Sequence, residues 1–138
     1  MGKVIFEKEG KIGIITIDAP PVNALDKEVL DELSAIIDGI DDDIGVVIVN
    51  GAGDKAFVAG ADIKEFPELG KESGEQLSRR GQSIFQKLAD LPQPVIAAID
   101  GFALGGGLEL ALACDFRIAT KKSKLGLPEI TLGILPAY

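Results

Sequence analysis

Histidine and tryptophan are absent from the 138 residues, and cysteine and tyrosine occur once each, as Cys114 and Tyr138. Each gap removes a class of chemistry. Without histidine there is no Ser-His-Asp hydrolysis, no Cys-His nucleophile pair, no His general base and no His-ligated metal. A single cysteine excludes an intramolecular disulfide and a cysteine-rich zinc site. Acid–base work therefore falls to carboxylates, lysines or Tyr138. Positive charge is also scarce. The chain has 14 Lys and Arg against 22 Asp and Glu, a formal charge of −8. That balance offers no basic field to nucleic acid or to an anionic membrane. The longest apolar stretch, 95–114, is broken by Asp100, Glu109 and several glycines, so it does not read as a membrane span. Met1 to Phe6 lacks the apolar core of a signal peptide, and Phe6 stands where a myristoylation signal needs Ser or Thr. A cytoplasmic protein is the expectation.

What is present is ordinary globular composition, 46% hydrophobic and 26% charged, in a length that suits one domain over residues 1–138. Two β-branched runs, 4–7 and 13–17, flank Glu9-Gly10-Lys11 and predict a hairpin. Pro20-Pro21 stops regular structure. Apolar residues at 25, 29, 30, 33, 36, 37 and 40 then predict a helix, with Asn23 or Asp26 as N-cap. The run 46–49 predicts a strand buried on both faces. Residues 50–61 read as a Gly/Ala-rich loop. A second helix capped by Ser73 ends at Pro92 and Pro94; a buried strand follows at 95–99, a helix at 108–114 and a strand at 116–119. Alternation of strands and helices is the mark of an α/β fold.

Three features of this chain bear on chemistry. Gly51-Ala52-Gly53-Asp54-Lys55-Ala56 follows a strand and matches a dinucleotide-binding pattern, but Phe57-Val58-Ala59-Gly60 is a poor helix start and no second strand carries the required acidic residue. An ordinary turn is the reading. Glu109 stands almost alone among apolar residues in Gly107-Leu108-Glu109-Leu110-Ala111-Leu112-Ala113-Cys114. An ionised carboxylate there is costly unless it is used or paired, or unless it lies on an exposed edge or near the helix start. Gly105-Gly106-Gly107 precedes it, and glycines there either admit a ligand to bare helix-start N–H groups or allow tight packing of helix on strand. Glu129, in Leu127-Pro128-Glu129-Ile130, is a second isolated carboxylate, fixed by a preceding proline, or else a solvated turn residue. Two such carboxylates in apolar surroundings have their pKa values pushed up and apart, which suits general acid–base work on a water.

Taken together, Pro20 to Leu25, Ala56 to Lys64, Pro94 to Leu110, Leu127-Pro128-Glu129 and Leu132 to Pro136 resemble the crotonase family, enoyl-CoA hydratase in particular. They occur in the family's order and cover nearly the whole chain. The resemblance implies an α/β crotonase-like spiral core of ββα-type units. It implies a catalytic pair, Glu109 and Glu129, and an oxyanion hole from the N–H groups of Ala61 and Gly106. It implies coenzyme A contacts at Asn23, Ala24, Leu25, Lys55, Ala59, Gly60, Asp62, Ile63, Lys64 and Gly105.

The implied reaction is syn addition of water to a trans-2-enoyl-CoA, giving a 3-hydroxyacyl-CoA. No metal and no cofactor beyond the substrate's own coenzyme A are implied; the expected partners are the acyl-CoA thioester and further copies of the chain. An isomerase on the same fold is the near alternative, and the presence of Glu109 beside Glu129 favours the hydratase. A silent acyl-CoA-binding fragment is a further alternative, and RNA binding is disfavoured by the charge. Two departures stand out. The family continues beyond this point with a Gly-Gly-Thr-type segment and a helical C-terminal part, so Pro136-Ala137-Tyr138 is expected to be a cut end. Pro20 also stands where some relatives place a basic residue.

Overall fold

The computed structural model describes residues 2–61 and 70–138. The expected hairpin is formed by β1 (Val4–Glu9) and β2 (Ile12–Ile17). Helix α1 (Lys27–Asp38) begins where the Asp26 carboxylate accepts the Val29 N–H at 2.8 Å, so Asp26 rather than Asn23 is the cap. Its Val29, Leu30, Leu33 and Ile37 form one buried stripe. After β3 (Val46–Gly51) come β4 (Ala56–Ala59), α2 (Lys71–Ala89), β5 (Val95–Ile99), β6 (Phe102–Leu104), α3 (Gly106–Ala113), β7 (Phe116–Ala119) and β8 (Lys124–Gly126). A short 3-10 turn covers Pro128–Leu132.

Two sheets result. The larger runs β1-β2-β3-β5-β7, with β1 antiparallel to β2 and the remaining neighbours parallel. The smaller runs β4-β6-β8, all parallel. The chain visits them in turn. β3, β5 and β7 each enter the large sheet; β4, β6 and β8 follow into the small one; α2, α3 and the 3-10 turn complete each coil. Leu25 extends the same pattern by bridging Ala61 in parallel. These are the spiral ββα units that the resemblance implies.

The core lies between the sheets and the helices. Ile15, Ile17, Val47, Val49, Phe57, Leu88 and Ala97 are fully enclosed there with the α1 stripe. Several expectations need correction. Residues 50–61 are not all loop, because β4 forms within them, and β6 and β8 likewise arise from short stretches. Helix α2 begins at Lys71 with Gly70 as its cap, two residues before Ser73. Strand β3 buries Val47 and Val49 but leaves Val46 and Ile48 half-buried. Helix α3 is not enclosed all round: Leu110 and Ala111 are buried while Leu112 is 55% exposed. The edge strand β7 is exposed on both faces, Phe116 at 60% and Ile118 at 65% on one, Arg117 and Ala119 on the other.

Candidate active site

The carboxyl ends of parallel strands are where an α/β fold leaves room for a ligand, and here the small sheet supplies them. Ala59, Gly60 and Ala61 close β4, Leu104 and Gly105 close β6, and Pro128 and Glu129 follow β8. All of them border one cavity of about 570 Å³. Val22 and Ala24 form another wall. They are held there by two backbone bonds, Ala59 N–H to the Val22 carbonyl at 3.0 Å and Leu25 N–H to the Gly60 carbonyl at 2.9 Å. Leu77, Leu132, Ile134 and Leu135 make much of the remaining lining apolar.

Each of the three glycines between β6 and α3 answers a different steric demand. Gly105 has φ +54, and its N–H is bonded to the Gly126 carbonyl at 2.9 Å. A Cβ on it would meet Glu129 Oε1 at 2.7 Å, so its absence is what lets the carboxylate into the cavity. A Cβ on Gly106 would press on Leu25 Cδ1 at 3.1 Å and Tyr138 Cδ2 at 3.2 Å. One on Gly107 would collide with the Val58 carbonyl of β4. Tight packing is therefore the reason for Gly107, Gly106 makes room for Leu25 and the Tyr138 ring, and Gly105 admits the Glu129 carboxylate to the cavity. Gly106 is also the first residue of α3, so its N–H has no partner within the helix.

Glu109 lies one turn into α3, its N–H bonded to the Gly105 carbonyl at 3.0 Å, and it borders the cavity. One carboxylate oxygen, Oε1, accepts the Tyr138 backbone N–H at 3.0 Å. Burial raises the Glu109 carboxyl above the ordinary range; the Tyr138 N–H pulls it back, and the nearby charge of Glu129 pushes it up again. Glu129 Oε2 is buried and takes no hydrogen bond from the described residues. Two carboxylates thus face one apolar space: Oε1 of Glu109 is tied to the Tyr138 N–H, and Oε2 of Glu129 has no hydrogen-bond partner among the described residues. Among the described residues no three His, Cys, Asp or Glu side chains gather into a metal-binding group, and no helix is long and apolar enough to cross a membrane.

Residues 7–138 match the family described as enoyl-CoA hydratase/isomerase. The chain belongs to this family. It is 46% identical to the short-chain enoyl-CoA hydratase of Clostridium acetobutylicum over all of this chain and 54% of that protein. It is 44% identical to the crotonyl-CoA hydratase of Syntrophomonas wolfei, over 98% of this chain and 52% of that one. Among solved structures, an enoyl-CoA hydratase from Bacillus anthracis superposes with TM-score 0.93 at 41% identity, matching 98% of this chain and 54% of that one. The structure of Pseudomonas aeruginosa DspI gives 0.94 at 42% identity, over 99% and 57%. The chain spans about half the length of the curated relatives it matches.

Of the residues expected at the site, Ala24, Ala59, Gly60, Ala61, Gly105, Gly106, Glu109 and Glu129 border this cavity. Three other expected contacts fall elsewhere. Asn23 is only 3% exposed and spends its amide on the backbone: Oδ1 accepts the Ala19 N–H at 3.0 Å, and Nδ2 faces the carbonyls of Ala52, Ala56 and Phe57 at 3.1, 3.0 and 3.3 Å. Leu25 is a core residue. Lys55 is exposed in the turn before β4 and does not line the cavity. Asp62, Ile63 and Lys64 lie outside the described residues. Two participants in the site carry no side-chain signature in the sequence: the Tyr138 N–H, and the Gly74-to-Ser78 stretch of α2.

Proposed function

We propose that this chain carries the reacting centre of an enoyl-CoA hydratase, adding water across the 2,3 double bond of a trans-2-enoyl-CoA. The observation that carries the reading is the convergence of Glu109, Glu129 and the start of α3 on one apolar cavity. The thioester carbonyl sits against the N–H groups of Ala61 and Gly106. As the water oxygen bonds to C3, negative charge builds on that carbonyl oxygen, and fixed N–H donors are worth about 2.7–4 kcal/mol each in comparable sites. One carboxylate takes a proton from the water and the other supplies the proton that C2 receives, so the product is the neutral 3-hydroxyacyl-CoA. The apolar lining strengthens these interactions by excluding water.

An isomerase needs one base to carry a proton between carbons. The second carboxylate, coupled to the first across the same space, favours hydration. The exposed apolar residues Phe116, Ile118, Ile130 and Leu135 support assembly into a homo-oligomer. A cytoplasmic location is part of the same reading.

The test is hydration of crotonyl-CoA by the full-length protein and by its Glu109→Gln and Glu129→Gln variants. Each substitution is expected to lower kcat by about two to four orders of magnitude. The double variant should fall little further, because the two groups act on one water. Near-normal hydration by either single variant refutes the assignment. Loss of hydration with retained double-bond migration in Glu109→Gln points to the isomerase instead.

A further inference from the structure

The Tyr138 ring occupies the seam between α2 and α3. It meets Phe85 edge-on, with ring centroids 5.7 Å apart. A Cβ on Gly81 would collide with it, and a Cβ on Gly106 would crowd its opposite edge at 3.2 Å. Gly81 sits in the middle of the 19-residue helix α2, where glycine weakens a helix. Neither glycine has a left-handed φ, so room for the ring is the demand that both satisfy. Behind the ring lies a second cavity of about 500 Å³, bordered by Gln82, Phe85, Gln86, Ala89, Leu112 and Ala113. Only Glu109 and Tyr138 border both this space and the reacting cavity among the lining residues of the two.

We propose that the Tyr138 ring sets the length of acyl chain the site accepts. This inference rests on the hydratase reading. With the carbonyl held at Ala61 and Gly106 and C3 between the carboxylates, the rest of the acyl chain leaves past Glu109. Tyr138 is bonded to Glu109 through its own N–H, so the first carbons beyond C3 meet its ring. Seated between the two glycines, the ring closes the passage and favours short chains. With the ring removed, the two spaces join, and the apolar faces of Phe85, Ala89, Leu112 and Ala113 receive a longer tail. A side-chain substitution leaves the N–H on Glu109 in place, which separates this role from the chemistry.

The experiment compares kcat/KM for trans-2-decenoyl-CoA and crotonyl-CoA in the full-length protein and its variants. Tyr138→Ala is expected to raise the decenoyl-to-crotonyl ratio by about tenfold or more, the scale on which apolar pockets discriminate chain size. Tyr138→Phe, which keeps the ring, should hold the wild-type ratio. If Tyr138→Ala does not fold, Tyr138→Leu must still raise the ratio. Competitive inhibition by decanoyl-CoA against butyryl-CoA gives the same comparison without turnover, and Tyr138→Ala should tighten decanoyl-CoA selectively. A purely structural role lowers both substrates together; a ratio that stays within about twofold of wild type in a folded variant overturns the proposal. A wild-type protein inert toward crotonyl-CoA refutes the hydratase reading, and the inhibitor ratio then still decides the gate.

Discussion

Replacing Asn23 by alanine distinguishes a residue that builds the site from one that touches the ligand. The native side chain has one acceptor and two amide hydrogens, and it faces one N–H and three carbonyls at 3.0–3.3 Å. Two hydrogens cannot fully serve three carbonyls, so three hydrogen bonds is the fair count. At a net value of about 1 kcal/mol each, their loss costs about 3 kcal/mol, with more if buried acceptors are left dry. Asn23 also holds φ +56, a left-handed conformation that costs alanine roughly another 1–2 kcal/mol. Asn23→Ala is thus expected to lose about 4–5 kcal/mol, a large share of a typical domain's stability. Asn23→Gly keeps the conformation and should lose about 1 kcal/mol less.

Asn23→Asp keeps the acceptor for Ala19 but sets a charge against the carbonyls of Ala52, Ala56 and Phe57. It should be at least as damaging at neutral pH and recover in acid, where the protonated carboxyl regains a donor. Urea titration followed by far-UV circular dichroism measures these values; the chain has no tryptophan to report by fluorescence. A cost for Asn23→Ala below about 1 kcal/mol refutes the reasoning. A stable variant with a raised KM returns Asn23 to the role of a ligand contact.

Glu109 carries a pH signature with a definite sign. Its folded carboxyl is raised, so between its ordinary value of 4.5 and the folded value the folded chain binds more protons than the unfolded one. Stability therefore falls as pH rises through that window. Glu109→Gln should remove this fall and be at least as stable as wild type at neutral pH while losing activity; a variant less stable there refutes the burial argument. Glycine substitutions should split by surroundings in the same urea assay. Gly107→Ala drives a Cβ into the Val58 carbonyl and should cost about 3 kcal/mol or prevent folding. Gly74→Ala meets nothing within 4 Å in a helix and should gain up to about 1 kcal/mol. Equal effects at the two positions would show that α3 does not rest on β4 backbone to backbone.

Most of the larger sheet was legible because β1, β2, β3 and β5 carry β-branched runs, and α1 because its apolar stripe repeats at helical spacing and Asp26 stands at its start. The smaller sheet was not. β4 reads Ala-Phe-Val-Ala and β6 reads Phe-Ala-Leu, too short and too poor in β-branched residues for alternation to show. These strands exist because the large-sheet strands before them deliver the chain to the same edge each time, a tertiary cause with no local pattern. The same distinction runs through the site. Glu109 and Glu129 were visible as charges stranded among apolar neighbours. Asn23 was named as a cap candidate and, through the resemblance, as a coenzyme A contact; its service to four backbone groups is a tertiary arrangement that no local pattern announces. Gly81 could not be read from the sequence: α2 holds two glycines, and only the structure shows that Gly81 makes room for Tyr138 while Gly74 meets nothing.

The glycine run before α3 shows why packing and ligand access were false alternatives. Gly107 must lack a side chain for α3 to rest on β4. That contact fixes the direction of the helix, and with it the Gly106 N–H and the Glu109 carboxylate. Gly105 must lack one for Glu129, arriving from the coil after β8, to share the same space. Add a side chain at any one and a different part of the site is lost: the helix axis at Gly107, the seat of Leu25 and the Tyr138 ring at Gly106, or the second carboxylate at Gly105. On the proposed reading Ala61 and Gly106 act through their backbone N–H groups, so Ala61→Gly should leave hydration nearly unchanged while a folded Ala61→Pro, which deletes the N–H, should lose it; normal hydration by a folded Ala61→Pro refutes that role.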